Sequence, residues 1–406
     1  MKRELELYLH IPFCVRKCNY CDFCSASGTQ EEQNAYVQAM CQEIQRYKEF
    51  AKSYEVKTVF LGGGTPSLLT GLQMEQLFQT LHDIFTIHPD AEITAEMNPG
   101  TVDLEKLTAY RHAGINRVSI GLQSTENREL HMLGRIHTYE QFLDTWKLVE
   151  KAGFKNRNID LMSALPGQSI KNWENTLKKT LALKPEHISA YSLILEEGTK
   201  FYDWYEQGRF DEGEWKLPSE DEEYAMGELT IQMLTAHGMR RYEVSNYACP
   251  GKECRHNLGY WNREEYLGIG ASSASLITLE NPSIKTRSSI ESDILSNPSQ
   301  IRYNHVRNRR NYIELIRQGK PIEIDSEILM AEAQMEEFMF LGLRKTDGIS
   351  KEHFHKTFEK TIEEIYGPVI QKLEKENLVD CKRDKITLTS RGMDISNYVL
   401  SEFLLT

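Results

Sequence analysis

Cys14, Cys18 and Cys21 are spaced Cys-x3-Cys-x2-Cys in the run LYLHIPFCVRKCNYCDFCS, directly after an apolar, strand-like segment. Three thiolates can hold three irons of a [4Fe-4S] cluster and leave the fourth iron open, whereas an electron-transfer cluster normally uses four. An open iron is a place to bind a small molecule. The other reading is a structural zinc site in which Cys24 or His10 completes the four ligands, making the chain a non-catalytic, zinc-stabilised binding module. Such sites usually come as paired short knuckles, and no second one follows further along the chain. Cys249 and Cys254 stand far downstream, while Cys41 and Cys381 are isolated and read as small buried hydrophobes.

Elements that could position such a loop recur along the first half of the chain. Short apolar or β-branched runs lie near Leu5 to Ile11, Lys57 to Leu61, Glu92 to Glu96, Arg117 to Leu122, Asn158 to Met162 and His187 to Leu193. Amphipathic stretches separate them at Glu31 to Tyr47, Leu72 to Phe85, Leu104 to Ala113, Tyr139 to Ala152 and Ile170 to Leu183. Parallel βα units in this number predict an α/β fold, a partial (β/α)6 barrel. In barrels of this kind chemistry gathers where the strands end and the βα loops converge. The cysteine loop follows the first strand, and GGGTPS, from Gly62 to Ser67, follows the second. Glu96, Gln123 and Asp160 end the third, fourth and fifth.

GGGTPS lacks the lysine of a P-loop. Its glycines either let the backbone approach a ligand closely or make a tight turn. Glu96, in TAEMNPG, either caps the following helix or points into the barrel mouth, where it would accept hydrogen bonds from a ribose hydroxyl or an ammonium group. Arg135, in LGRIH, is a partner for a carboxylate.

Together these residues resemble, position by position, the oxygen-independent coproporphyrinogen oxidase family of radical S-adenosylmethionine (SAM) proteins, from Tyr8 to about Ser275 and more loosely to the C-terminus. By that resemblance Cys14, Cys18 and Cys21 bind a [4Fe-4S] cluster whose open iron is chelated by the amino and carboxylate groups of SAM. One electron then splits SAM into methionine and a 5′-deoxyadenosyl radical. Tyr8, Gly63 and Glu96 would contact that SAM, while Tyr20, Gly64, Thr65, Gln123, Arg135 and Asp160 match positions that hold a second SAM in the oxidase. The match leaves the number of SAM molecules, one or two, open.

The chain departs from the oxidase in three ways. Thirteen residues precede Cys14 where the oxidase has a long segment, and Phe23 stands where the oxidase has a fourth cysteine. RHNLGYW, with His256, Asn257, Tyr260 and Trp261, resembles the HNxxYW signature of a heme chaperone subgroup. That resemblance implies heme as cargo, apo-hemoprotein recipients, an electron donor and a peripheral contact with any membrane-bound recipient. It is compatible with the chemistry, because a neutral imidazole ligates iron and flanking Tyr and Trp offer flat apolar surface. The other reading of His256 is an imidazole satisfied by local hydrogen bonds beneath aromatic packing. The rival activity is coproporphyrinogen dehydrogenation, in which propionate carboxyls leave as CO2. Ser163 and Ala164 stand where the family usually has Tyr and Gly.

The 406 residues, 40% of them hydrophobic, suffice for two or three domains. A net charge of −12 argues against a nucleic-acid partner, since such binding rests on neutralising phosphates. The basic run from Arg302 to Lys320 reads as a solvated helix face. With no stretch of roughly 20 apolar residues, no leader-like N-terminus and cysteines suited to reduction, the expected location is the cytoplasm. The expected domains are a barrel core over 1–234, a loop-rich signature segment over 235–303 and a C-terminal cap over 304–406. The cap reads as mostly helical and winged-helix-like, with two short strands around Leu378 to Val379 and Ile386 to Leu388 and a helix from Ser390 onward.

Overall fold

The computed structural model describes residues 2–279 and 299–405; the remainder of the segment expected over 235–303 lies outside the described residues. Six strands form where apolar runs were expected: β1 (Arg3–Ile11), β2 (Tyr54–Gly63), β3 (Ile87–Met97), β4 (Arg117–Gln123), β5 (Arg157–Ser163) and β6 (His187–Ser192). All are parallel to their neighbours, in chain order. β4 is buried at every position, as a strand covered on both faces must be. The covering helices are α1 (Gln30–Arg46), α2 (Gly71–Ile84), α3 (Leu104–His112), α4 (Asn127–Met132), α5 (Tyr139–Lys151) and α6 (Ile170–Leu181). Thr29, Thr70 and Thr138 start α1, α2 and α5 with capping boxes, which satisfy otherwise orphaned N–H groups.

The sheet does not stop at six strands. After α7 (Lys200–Glu206) and α8 (Glu220–Ala236), β7 (Arg240–Arg241) and β8 (Asn246–Ala248) extend it antiparallel beyond β6. α9 (Arg255–Asn262) then carries the chain to the opposite edge, where β9 (Tyr266–Ile269) pairs parallel with β1 and β10 (Ala274–Leu279) follows antiparallel. The segment read as loop-rich thus adds strands on both sides of the six parallel ones.

The cap boundary expected at 304 is corrected by the same sheet. Residue 304 lies inside β11 (Ser299–His305), which pairs with β10, and β12 (Glu323–Leu329) pairs with β11. The result is a mixed, unclosed sheet of 12 strands. The basic run is therefore part strand and part helix, α10 (Arg309–Arg317). It is not simply a solvated face, because Arg309 and Arg310 pair with Glu32 of α1 and Arg302 pairs with Glu337.

A second core begins at Met335. It is built by α11 (Ala331–Gly342), β13 (Ile349–Ser350), α12 (Lys351–Phe358), α13 (Ile362–Lys375), β14 (Val379–Cys381), β15 (Lys385–Leu388), α14 (Ser390–Asp394) and α15 (Ser396–Ser401). Its order, helix, strand, two helices and two strands, with the sheet β13-β15-β14, is the winged-helix layout. Among the described residues no helix is long and apolar enough to cross a membrane.

Candidate functional site

The cysteine loop leaves β1 at the C-terminal edge of the sheet and is pinned from two sides. From β2, Gly64 and Thr65 donate backbone N–H groups to the carbonyls of Ile11 and Phe13 at 2.9 and 2.7 Å. A side chain at Gly64 would lie 2.6 Å from the Ile11 carbonyl, so this approach of two backbones requires glycine. From the α4 turn, the Leu133 and Met132 carbonyls accept from the Asn19 backbone and side chain, each at 2.9 Å, and the Gly134 carbonyl accepts from Arg16 at 2.8 Å.

Within this frame Cys14, Cys18 and Cys21 are half-buried and free of disulfides. The Thr65 hydroxyl donates to Cys14 Sγ at 3.5 Å and Arg135 Nη1 to Cys18 Sγ at 3.6 Å. Donors and a cation aimed at sulfur suit thiolates ligating iron. Among the described residues no three His, Cys, Asp or Glu side chains converge tightly enough to cage one ion. The three thiols share one loop closely enough that, beside burial, Cys18 and Cys14 raise Cys21, and three thiolates can ligate three irons of one cluster. Burial holds the Cys21 thiol up at about 11, so iron must displace its proton.

The strand ends around the loop carry the remaining candidates. Arg135 Nη2 bridges the Asn98 side chain and the Gly121 carbonyl, each at 2.6 Å, and Asn98 in turn donates to Thr65 Oγ1 at 2.8 Å. Asn98 therefore links two of the expected residues, Arg135 and Thr65. The sequence reading singled out Glu96 in TAEMNPG and passed over Asn98 two positions on. Gln123 adopts a left-handed φ of 71° at a register shift of β4 and accepts from Tyr191 at 3.1 Å. Tyr20 packs against Phe201, with burial raising its phenol pKa. Tyr8 lies 3.2 Å from His10, whose other ring nitrogen meets the Cys24 carbonyl at 3.0 Å, so His10 serves the loop backbone.

Two carboxyls complete the mouth. Burial, reinforced by Asp160, lifts Glu96 to about 8, although the Gly63 N–H favours its charged form. Asp160 accepts from Asn158 at 2.6 Å and from Ser119 at 3.1 Å, and burial raises it as well.

Deeper in the barrel the polar chain continues. His187 lies 2.6 Å from Asn158 and 2.8 Å from the Tyr242 hydroxyl, which accepts from the Cys254 N–H at 3.2 Å. Buried Arg117 faces Glu92, Cys254 and Asp160. Sequence reasoning missed this interior because strands carrying Glu6, Thr58, Glu92 and Arg117 at inward positions still read as apolar.

The signature on α9 divides between two neighbours. His256 is 1% exposed and lies flat on Phe60 at 5.1 Å. Its Nδ1 is 2.7 Å from the Thr58 hydroxyl and its Nε2 is 3.0 Å from the Tyr260 hydroxyl. Burial and Arg117 lower its pKa to about 3, while burial lifts Glu6 to about 9, so their 3.7 Å contact joins two neutral groups. Neither ring nitrogen is open to iron. Here both ring nitrogens meet protein hydroxyls, the arrangement of an imidazole satisfied beneath aromatic packing. Tyr260 also meets Tyr266 edge-on at 4.8 Å, and Asn257 is half-buried. Trp261 turns the other way, to the C-terminal unit, where the Arg344 guanidinium covers its ring at 4.5 Å.

Comparison with known proteins bears on the family and the fold. The radical SAM superfamily profile matches residues 8–180, and the HemN C-terminal domain profile matches residues 329–395. The chain is 35% identical over 405 residues to the heme chaperone HemW of Lactococcus lactis, covering 100% of this chain and 98% of that one. It is 34% identical over 399 residues to the Bacillus subtilis protein of that name, covering 98% of each. Among solved structures, coproporphyrinogen III oxidase (HemN) from Escherichia coli superposes with a TM-score of 0.81 at 21% identity, covering 99% of this chain and 90% of that one; this likeness is one of fold. With the cysteine loop and the α9 signature, these full-length matches make the chain a member of the heme chaperone HemW family of radical SAM proteins.

Proposed function

We propose that the chain binds heme and delivers it to apo-hemoproteins from the cytoplasm, holding a [4Fe-4S] cluster and SAM at the barrel mouth. One observation carries this reading: the likeness to proteins named heme chaperones runs over the whole chain. Cys14, Cys18 and Cys21 would hold the cluster, with Tyr8, Gly63 and Glu96 around SAM. When bound, the cluster and SAM supply one-electron chemistry. The chain's own part is to orient and to manage charge. The Gly63 N–H steadies the Glu96 carboxyl, which at about 8 stands close enough to neutrality to release its proton on meeting an ammonium group.

Arg135, Thr65 and Gln123 are already engaged with protein partners, which favours one SAM molecule over two. Val15 and Phe23 stand exposed on the cysteine loop, where an electron-donor protein would dock. A membrane-bound recipient would be met peripherally.

The test is an anaerobic assay of cluster-reconstituted protein with heme and, separately, with coproporphyrinogen III. The expected result is a saturable Soret change with heme and no multiple-turnover formation of protoporphyrinogen. Robust turnover would instead assign the dehydrogenase reaction.

A further inference from the structure

Two donors point at cysteine sulfur from outside the cysteine loop, and a single side chain joins them. Asn98 stands directly after β3, and its side-chain amide reaches out of its own turn to Thr65 and Arg135, 33 and 37 residues away. The backbone beneath that amide is held still. Its N–H donates to Ser67 Oγ at 3.2 Å, and its carbonyl accepts from Thr101 Oγ1 at 2.7 Å. Lys106 of α3 ties the two flanking turns together, donating to the Ser67 and Thr101 carbonyls at 3.0 and 2.8 Å.

The chemistry of the partners decides which way round the amide sits. A guanidinium carries only donors, so the Asn98 oxygen must face Arg135 Nη2, at 2.6 Å. The amide nitrogen then faces Thr65 Oγ1 at 2.8 Å and uses that oxygen as its acceptor. The hydroxyl hydrogen of Thr65 is left for Cys14 Sγ, at 3.5 Å. On the other arm Asn98 and the Gly121 carbonyl share Nη2, which turns Nη1 to Cys18 Sγ at 3.6 Å. Arg135 is a half-buried cation with which no carboxylate pairs among the described residues, so the charge it can meet there is that of a thiolate.

We propose that Asn98 is a positioning residue for the cluster: it aims the Thr65 hydroxyl at Cys14 and the Arg135 guanidinium at Cys18, and so raises the reduction potential. Hydrogen bonds and positive charge at the ligand sulfurs favour the reduced, more negative state of an iron–sulfur cluster. The inference rests on the reading of Cys14, Cys18 and Cys21 as cluster ligands and adds how the electron affinity of that cluster is set. Asn98→Asp keeps the shape and reverses the effect. The carboxylate still accepts from Arg135 but offsets its charge, and it offers Thr65 an acceptor that draws the hydroxyl hydrogen away from Cys14.

The test is a redox titration of reconstituted, SAM-free, full-length protein, read by electron paramagnetic resonance of the reduced cluster and accompanied by iron and sulfide analysis. The variants are Asn98→Asp, Asn98→Ala, Thr65→Val and the double variant Asn98→Asp with Thr65→Val. Each single variant should have a more negative midpoint than wild type, with the largest shift in Asn98→Asp. The double variant should shift by less than the sum of its parts, because Asn98 acts in part through Thr65. A merely structural role would lower the amount of cluster and leave the midpoint in place. The resonance reads only assembled clusters, so partial loading does not blur the distinction, and Asn98→Ala carries the same test if Asn98→Asp loads none. A wild-type midpoint in the Asn98 variants that load would overturn the proposal and leave the cluster assignment standing. Wild-type protein that assembles no [4Fe-4S] cluster would overturn both.

Discussion

The mouth and the base of the partial barrel are built on the same strands with the same kinds of side chain, and they differ in what is left unspent. At the mouth, Thr65 and Arg135 reach towards cysteine sulfur, Glu96 is lifted to about 8, and glycines keep the loops close. At the base, His256 uses both ring nitrogens, Cys254 donates to Glu92 at 3.5 Å, and the Tyr242 hydroxyl is shared between His187 and the Cys254 N–H. A histidine in a signature motif is therefore not by that fact a ligand. Buried polar groups that satisfy one another fix a unique packing, whereas groups with free valence await a partner.

Substitutions at the base should act through stability. The largest effect is expected from Gly259→Ala, because a Cβ there would sit 2.0 Å from the Glu6 carboxyl beneath α9. Overpacking of this kind should cost about 3 kcal/mol, read as a lower urea midpoint. An unchanged midpoint would mean that α9 does not rest on Glu6.

Next comes Glu6→Gln. The folded protein keeps Glu6 protonated up to about 9 while the unfolded chain releases that proton near 4.5, so stability should fall as pH rises between those values. The amide should flatten that slope and stabilise the protein at pH 8 by about 2 kcal/mol. His256, held at about 3, works in the opposite direction, removing stability as pH falls below 6.5. A wild-type profile flat from neutral to alkaline pH would contradict the neutral pair.

The smallest effect belongs to the mouth side. Ala164 adopts a left-handed φ of 55°, a backbone conformation that favours glycine. Ala164→Gly should stabilise by about 0.5 kcal/mol, since relief of strain outweighs the added freedom of the unfolded chain. Destabilisation would show that the alanine methyl earns its place by packing.

The six parallel strands and the cysteine loop were legible because apolar runs and turn residues are local signals. The outer strands were not. β11 alternates buried and half-buried positions, but Gln300, Arg302 and Asn304 hold the half-buried face, and a polar run beside the RNRR stretch reads as charged helix. Its place is set by pairing with β10 and by Arg302 meeting Glu337, contacts across distance that no local period reveals. The direction of His256 was equally hidden. Spacing places it on α9, but only the fold of Glu6, Thr58 and Phe60 beneath that helix decides that it points inwards.

The central claim is that the cysteine loop at the mouth holds the cluster and that the heme proposed as cargo does not bind through it. The most direct measurement is an anaerobic heme titration of the variant with Cys14, Cys18 and Cys21 all changed to Ala, beside wild-type protein and with iron and sulfide analysis of both. The account predicts that the variant loses its cluster iron and the cluster's visible absorbance, yet still takes up heme saturably with the wild-type Soret position. Heme uptake that disappears together with the cluster, in a variant that remains folded, would contradict it.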